Sequence, residues 1–171
     1  QQAVVDIADA AEKAARDGVI VIVLSDKNIS KDSYVVPAAM ATGAVHHRLV
    51  EQGLRCDSNI VVETGSARDP HQFAVLLGFG ATAVYPYLAY SVLCDMYRAG
   101  ESTTAPEKAF ANFRKGINKG LLKIMSKMGI SCISSYRGAQ LFEAVGLHDE
   151  ITSICFKGVA SRVQGAQFKH I

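Results

Sequence analysis

The residues with the most chemical potential fall just beyond short apolar runs. Asp26 and Asn28 follow Val19–Leu24; Glu63 and Arg68 follow Ile60–Val62; Tyr85 closes Ala81–Tyr85; Tyr136 and Arg137 follow Ile130–Ser134. Open and closed parallel α/β sheets bind ligands beyond the carboxyl ends of their strands, so these positions would share one rim. There Glu63 has the chemistry of a general base, and Arg68 or Arg137 that of a phosphate clamp. The plainer account is turn chemistry: Asp26 and Asn28 making Asx-type turns, and Glu63, Arg68 and Asp69 forming a salt-bridged loop. No nucleophile–base pair, metal set or phosphate-binding loop can be named. Gly78-Phe79-Gly80-Ala81-Thr82-Ala83 imitates a dinucleotide fingerprint, but it ends on alanine and precedes a strand instead of following one.

The other chemistry-bearing types give less. His46 and His47 are adjacent on an expected helix and point about 100° apart, unlike an i, i+4 metal pair. The four cysteines, Cys56, Cys94, Cys132 and Cys155, form no C-x-x-C pair. Such spacing suits free thiols in a reducing compartment. Lys115, Lys119, Lys123 and Lys127 recur every four residues and align as a ridge on a helix, and residues 108–128 contain no acidic side chain. A nucleic-acid or nucleotide-phosphate surface is one reading of the ridge; a solvated face or an interface toward an acidic neighbouring domain is favoured. With 18 basic and 16 acidic residues the net charge is only +2, and no aromatic residues interleave the lysines.

The elements that must position these residues follow from periodicity. Residues 2–17 read as an amphipathic helix with Val5, Ala8, Ala11 and Ala15 on its packed face. Val19–Leu24 is apolar without alternation and reads as a central strand, with a polar loop through Ser30–Ser33 beyond it. Pro37 opens a helix to about Gln52 that packs Met40, Gly43, Ala44 and Leu49. Asn59–Tyr90 reads as one parallel βαβ unit, its helix capped by Asp69, started by Pro70 and ended by a left-handed Gly78 or Gly80. Tyr87–Ala99 and Pro106–Met128 are helices, the latter with Phe110, Phe113, Ile117, Leu121, Ile124 and Met128 inward; Gly116-x-x-x-Gly120 within it suits close helix packing or a kink. Ile130–Ser134 reads as a fourth strand, Leu141–Val145 as part of a helix ending at Gly146, His148–Phe156 as a last helix, and Gly158…Gly165 as a connecting tail.

The chain has 171 residues, 49% hydrophobic and 20% charged, which suits one α/β domain with a substantial core. Four strands are about half of an eight-stranded barrel of ~250 residues. The expected architecture is therefore alternating βα units with a mostly parallel sheet, either open or a partial (β/α) barrel. No apolar run approaches the roughly 18 residues of a bilayer span. Gln1-Gln2-Ala3 carries neither an initiator methionine nor a signal peptide, so the sequence reads as a piece of a longer polypeptide.

Long runs resemble one family. LSDKN (Leu24–Asn28), ATGAVHHRLVEQGLRCDSNIVVETGSARDPH (Ala41–His71), LLGFGATAVYPYLAY (Leu76–Tyr90), GINKGLLKIMSKMGIS (Gly116–Ser131), KIMSKMGISCISSYRGAQLFEAVGL (Lys123–Leu147) and CFKGVASRVQGAQF (Cys155–Phe168) are similar to the large subunit of glutamate synthase. The resemblance implies the later part of that enzyme's central domain, an α/β domain like a reduced FMN barrel. It also implies a reaction: glutamine is hydrolysed, ammonia is channelled internally, and 2-oxoglutarate is reductively aminated to glutamate. The implied partners are the glutaminase and FMN-barrel domains of the same polypeptide, with no nucleic acid or membrane. Self-association through an uncovered apolar face is a further expectation. The family's nucleophilic cysteine, iron–sulfur cysteines and FMN barrel have no counterpart here, so no catalytic or cofactor residue is carried over. The expectation is a non-catalytic interdomain module, cytoplasmic or in the plastid stroma, whose parent enzyme holds FMN and an iron–sulfur cluster. The alternative is a half-barrel binding a small anion or phosphate ligand at its rim.

Overall fold

The computed structural model describes every residue except Ser33, the last residue of the expected polar loop. Its elements run α1 (Gln2–Arg16), β1 (Val21–Ser25), α2 (Ala38–Glu51), β2 (Asn59–Glu63), α3 (Pro70–Gly78), β3 (Ala83–Tyr85), α4 (Tyr87–Arg98), α5 (Pro106–Lys127), a single turn α6 (Ile133–Tyr136), β4 (Glu143–Leu147), α7 (Asp149–Cys155) and β5 (Ala160–Ala166). Strands β1, β2 and β3 form a parallel sheet in that order, with Val23, Val61 and Ala83 in one row and Ser25, Glu63 and Tyr85 two rows on. Among the described residues this is an α/β fold of parallel strands without a closed barrel, consistent with a partial one.

Alternation along the strands assigns the two faces of this sheet. Ile22, Ile60 and Val62 are buried and meet Ala11 and Ala15 of α1, Val45 and Leu49 of α2, and Phe73 and Leu76 of α3. Each fully buried Ile or Val contributes about 1.5–3 kcal/mol. The opposite face carries Val21, Val23, Val61 and Ala83, and there Val21 and Val23 are more than half open to solvent or close to it. The buried face of α1 is Val4, Ala8, Ala11 and Ala15, so Val4 and not Val5 begins the packed stripe.

The start of α3 follows its sequence signals. The Asp69 carboxylate accepts from the backbone N–H groups of His71 and Gln72 at 2.9 and 3.1 Å, and Gln72 Oε1 accepts from the Asp69 N–H at 3.3 Å. Those bonds satisfy donors that a helix start otherwise leaves unpaired. At its other end Gly78 is still helical and Gly80 takes the left-handed conformation, with φ of 114°. Helix α5 lies along α3, and a side chain on Gly120 would collide with the Pro70 ring, whereas Gly116 faces open space. Gly120 is thus a close-packing position.

Four expectations are corrected. Val19–Leu24 is not the central strand among the described residues: there β1 is an edge, and β2 lies in the middle. Ile130–Ser134 is not a strand. The turn after α5 carries the chain under the α3–α5 pair, where Tyr136 is buried against Ala74 and Met125. That anchor holds residues 133–136 in one helical turn. Leu141–Val145 is not helical, because Glu143–Leu147 is β4, bent by Gly146 at φ 77°. The glycine-spaced tail is not a loose connection but contains β5, which pairs in parallel with β4 in a separate two-stranded sheet.

Helix α7 attaches that small sheet to the rest. Its Ile151 and Cys155 pack with Phe156 against Val4, Met40 and Ala44. Helices α2 and α7 approach so closely that a side chain on Gly43 would overlap the Cys155 carbonyl. Gly43→Ala forces backbone apart at a buried contact and is expected to cost about 1–3 kcal/mol. A lowered urea midpoint with an unchanged slope in equilibrium unfolding would show it; an unchanged midpoint would mean that α7 can move aside freely.

Candidate functional site

Parallel register brings Ser25, Glu63 and Tyr85 side by side at the carboxyl ends of β1, β2 and β3. Glu63 Oε2 accepts from the Ser25 hydroxyl at 2.6 Å, and Lys27 Nζ lies 3.8 Å from Oε1. Asp26 is committed to the loop after β2. Its carboxylate accepts from Thr64 Oγ1 at 2.5 Å and from the Gly65 N–H at 3.0 Å. Thr64 is fully buried and its Oγ1 accepts in turn from the Ser66 N–H at 3.1 Å. The Tyr87 phenol has a raised pKa, first from lost hydration and then from its hydrogen bond with Asp26. Asp26 therefore works as a clamp between β1 and the β2–α3 loop.

The remaining expected site residues disperse. Asn28 lies beside Asp26 on the wall of a groove along β1. Arg68 is exposed and enters the helix cap only through its backbone N–H, which donates to Gln72 Oε1 at 2.7 Å. The loop is thus tied by hydrogen bonds, not by an Arg68 ion pair. Arg137 sits elsewhere. The strand expected before it does not form, and the Arg137 guanidinium approaches His46 and Arg55 near Gly80, where the chain enters β3. The rim therefore gathers the carboxylates of Asp26 and Glu63, the hydroxyl groups of Ser25, Thr64, Tyr85 and Tyr87, and Lys27, without either arginine. Its charge favours cations or hydrogen-bond donors over an anion.

Lys115, Lys119, Lys123 and Lys127 are all exposed along α5. Lys115 and Lys119 line a shallow groove together with Arg114, Asn118 and the exposed Leu122. The inward face of α5 carries Phe113, Ile117, Leu121 and Met125 against α3 and the turn at α6.

One polar centre has no local sequence signal. Arg55 donates from Nε to His46 Nδ1 at 3.0 Å, and through its other nitrogens to the Ser58 and Gly80 carbonyls at 2.6 and 2.8 Å. It ties α2 to the entries of β2 and β3. The hydrogen bond requires an unprotonated His46 Nδ1, and the pKa of His46 is lowered to about 4, first by burial and then by Arg55, His47 and Arg137. The only sign in the sequence was the His46-His47 pair itself, since the bonded groups lie up to 25 residues apart. Among the described residues no three His, Cys, Asp or Glu side chains are grouped to hold a metal ion. The four cysteines are free thiols, and burial raises the Cys155 pKa to about 12.

This α/β arrangement defines a class first. The chain is similar to a flavocytochrome b2 mutant with pyruvate bound, an α/β-barrel protein, at a TM-score of 0.58 and 19% identity. The match covers 77% of this chain and 31% of that one, and at this identity it speaks for the fold alone. Residues 1–148 match the glutamate synthase central domain, and the chain belongs to that family. It is 46% identical to a glutamate synthase [NADH] of Schizosaccharomyces pombe, with 96% of this chain covered. It is 42% identical to the glutamate synthase [NADPH] large chain of Bacillus subtilis over 97% of its length, and 39% identical to ferredoxin-dependent glutamate synthase 1 of Arabidopsis thaliana over all of it. It spans only 8% and 11% of the first two of these relatives, and so is a domain of a larger polypeptide.

The neutral His46 gives the fold a signed pH dependence. Its folded pKa, about 4, lies below the ordinary 6.5, so an unfolded chain takes up the proton first as pH falls. The stabilisation is complete above pH 6.5 and is lost progressively from there to about pH 4. His46→Asn keeps an acceptor for Arg55 and does not titrate. Unfolding midpoints measured from pH 7 to 4.5 should fall more steeply in the wild type than in this variant. Parallel curves would mean that His46 is not held neutral.

Proposed function

We propose that this domain is a non-catalytic interdomain module of a glutamate synthase, placed between the glutaminase domain and the FMN barrel of one polypeptide. The parent reaction is then hydrolysis of glutamine and reductive transfer of its ammonia to 2-oxoglutarate, giving glutamate. The observation that carries this reading is the family match over residues 1–148 in a chain whose strand-end rim is closed on itself. Asp26 accepts from both Thr64 and Gly65, Glu63 is bonded to Ser25, Arg68 is exposed and engaged through its backbone N–H to Gln72, and Arg137 lies by His46 and Arg55.

A second observation supports it. Identity is similar, 37–46%, to relatives named for NADH, NADPH and ferredoxin, which fits residues not tuned to one electron donor. A structural task shared by all three fits that pattern. FMN and the iron–sulfur cluster belong, in this reading, to the other domains. No helix among the described residues is long and apolar enough to cross a membrane, and some plant relatives are named chloroplastic. The reading places the parent enzyme in the cytoplasm, or in the plastid stroma of a plant or alga.

The ridge of Lys115, Lys119, Lys123 and Lys127 is the proposed docking face toward an acidic neighbouring domain. Solvent-facing substitutions of this kind disturb folding by about 0.5 kcal/mol or less. Lys119→Glu with Lys123→Glu in the complete enzyme should therefore leave a folded protein in which glutamine hydrolysis outruns glutamate formation. Rates that remain coupled one to one would remove the ridge from this role.

A further inference from the structure

The sheet is unfinished along one edge, and the topology says what finishes it. Bonds to β2 run from the Asn59 N–H to the Ile20 carbonyl at 2.7 Å and from the Asp26 N–H to the Glu63 carbonyl at 3.1 Å. Backbone direction alternates along a strand, so Ile20, Ile22, Leu24 and Asp26 present their polar groups to β2. Val21, Val23 and Ser25 present theirs the other way, where β1 has no neighbouring strand among the described residues. The apolar side chains there are open as well, with Ile20 68%, Val21 50% and Val23 56% exposed. Such an edge is a template for another strand, and a parallel sheet is ordinarily covered on both faces.

A groove of about 650 Å³ runs along this edge. One wall is a stripe of α1 spaced as one helix face, Ala3, Ile7, Ala10 and Ala14. That stripe is distinct from Val4, Ala8, Ala11 and Ala15, which are already buried. The floor is β1 itself, and Tyr34 to Val36 form the mouth. Helix α2 rests on both strands that it connects, β1 and β2. Helix α1 rests on β1 and α2, on the same face of the sheet as α2 and α3, and its second apolar stripe covers no strand.

We infer that a parallel β-strand of the same polypeptide, preceding α1, pairs with the free edge of β1 and fills this groove. Handedness selects the position. With the helices on this face, a right-handed crossover through α1 can come only from a strand beside β1, on the side away from β2. The chain outside these residues is ample, since the relatives are roughly ten times longer. Its pairing would satisfy the outward polar groups of Val21, Val23 and Ser25 and cover Ile7 and Ala10. The sheet would then have at least four parallel strands and further barrel curvature.

The test is hydrogen–deuterium exchange with residue-level fragmentation on a complete polypeptide containing this domain, repeated over a tenfold dilution. The amides of Ile22 and Leu24 report the existing β1–β2 ladder. Pairing at the free edge should slow Val21, Val23 and Ser25 at least about 100-fold relative to an unstructured peptide, independently of concentration. Rapid exchange at those three beside protected Ile22 and Leu24 would overturn the inference. Protection that fades on dilution would also overturn it, because the occupant would then be a second copy. Val23→Pro removes the outward N–H and supplies a second reading. It is well tolerated on a free edge and should strongly lower the unfolding midpoint of the complete polypeptide if the edge is paired.

Discussion

The three-stranded sheet and the helices packed on it are hung on β2. Its backbone bonds on both sides, through Asn59 and Glu63 to β1 and through Ile60 and Thr64 to β3, and its Ile60 and Val62 are sealed under the helices. A parallel strand cannot reach its neighbour by a tight turn, so each pairing demands a crossover helix. That demand sets the places of α2 and α3 and orients the carboxyl ends of all three strands the same way. Ser25, Glu63 and Tyr85 share a row because of it. Asp26 then reaches across to the Thr64–Gly65 turn and holds the strand-end loops in one arrangement.

The elements written in local chemistry were readable from the residues. Helix α3 announces itself through Asp69, Pro70 and Gln72, and α5 through Pro106 and its long apolar stripe. The β1–α2–β2–α3–β3 run follows from apolar runs separated by helix-length spacers. Beyond residue 129 only the helix expected over His148–Phe156 was readable, as α7, and the rest of the local pattern failed for a physical reason. Ile130 to Ile133 has a strand's composition, but Tyr136 finds its burial beneath α3 and α5, and that tertiary contact overrides propensity. Val145 and Val163 face solvent in β4 and β5, so neither strand shows the inward alternation that marks a sheet.

The candidate site divides in the same way. Asp26 and Glu63 could be placed together because strand ends in a parallel sheet are aligned by construction. Arg137 could not, since its position depended on a strand that does not form. The Asp26–Thr64 bond spans 38 residues and the Arg55–Gly80 bond 25, and no spacing rule reaches that far. The family resemblance located the domain within a larger enzyme, while only coordinates could show that the rim's polar groups are spent on one another.

The three bonds of Arg55 have a kinetic meaning. They join α2, the turn before β2 and the turn before β3; His46 and Ser58 are local to Arg55, but the set of acceptors is incomplete until the α3 crossover brings Gly80 alongside. Contacts of that kind form late, because the loops that bring them together must close first. Interactions absent from a transition state govern the rate of unfolding more than the rate of folding. The Gly80 bond of Arg55 is thus expected to act as a latch, slowing unfolding more than it speeds folding.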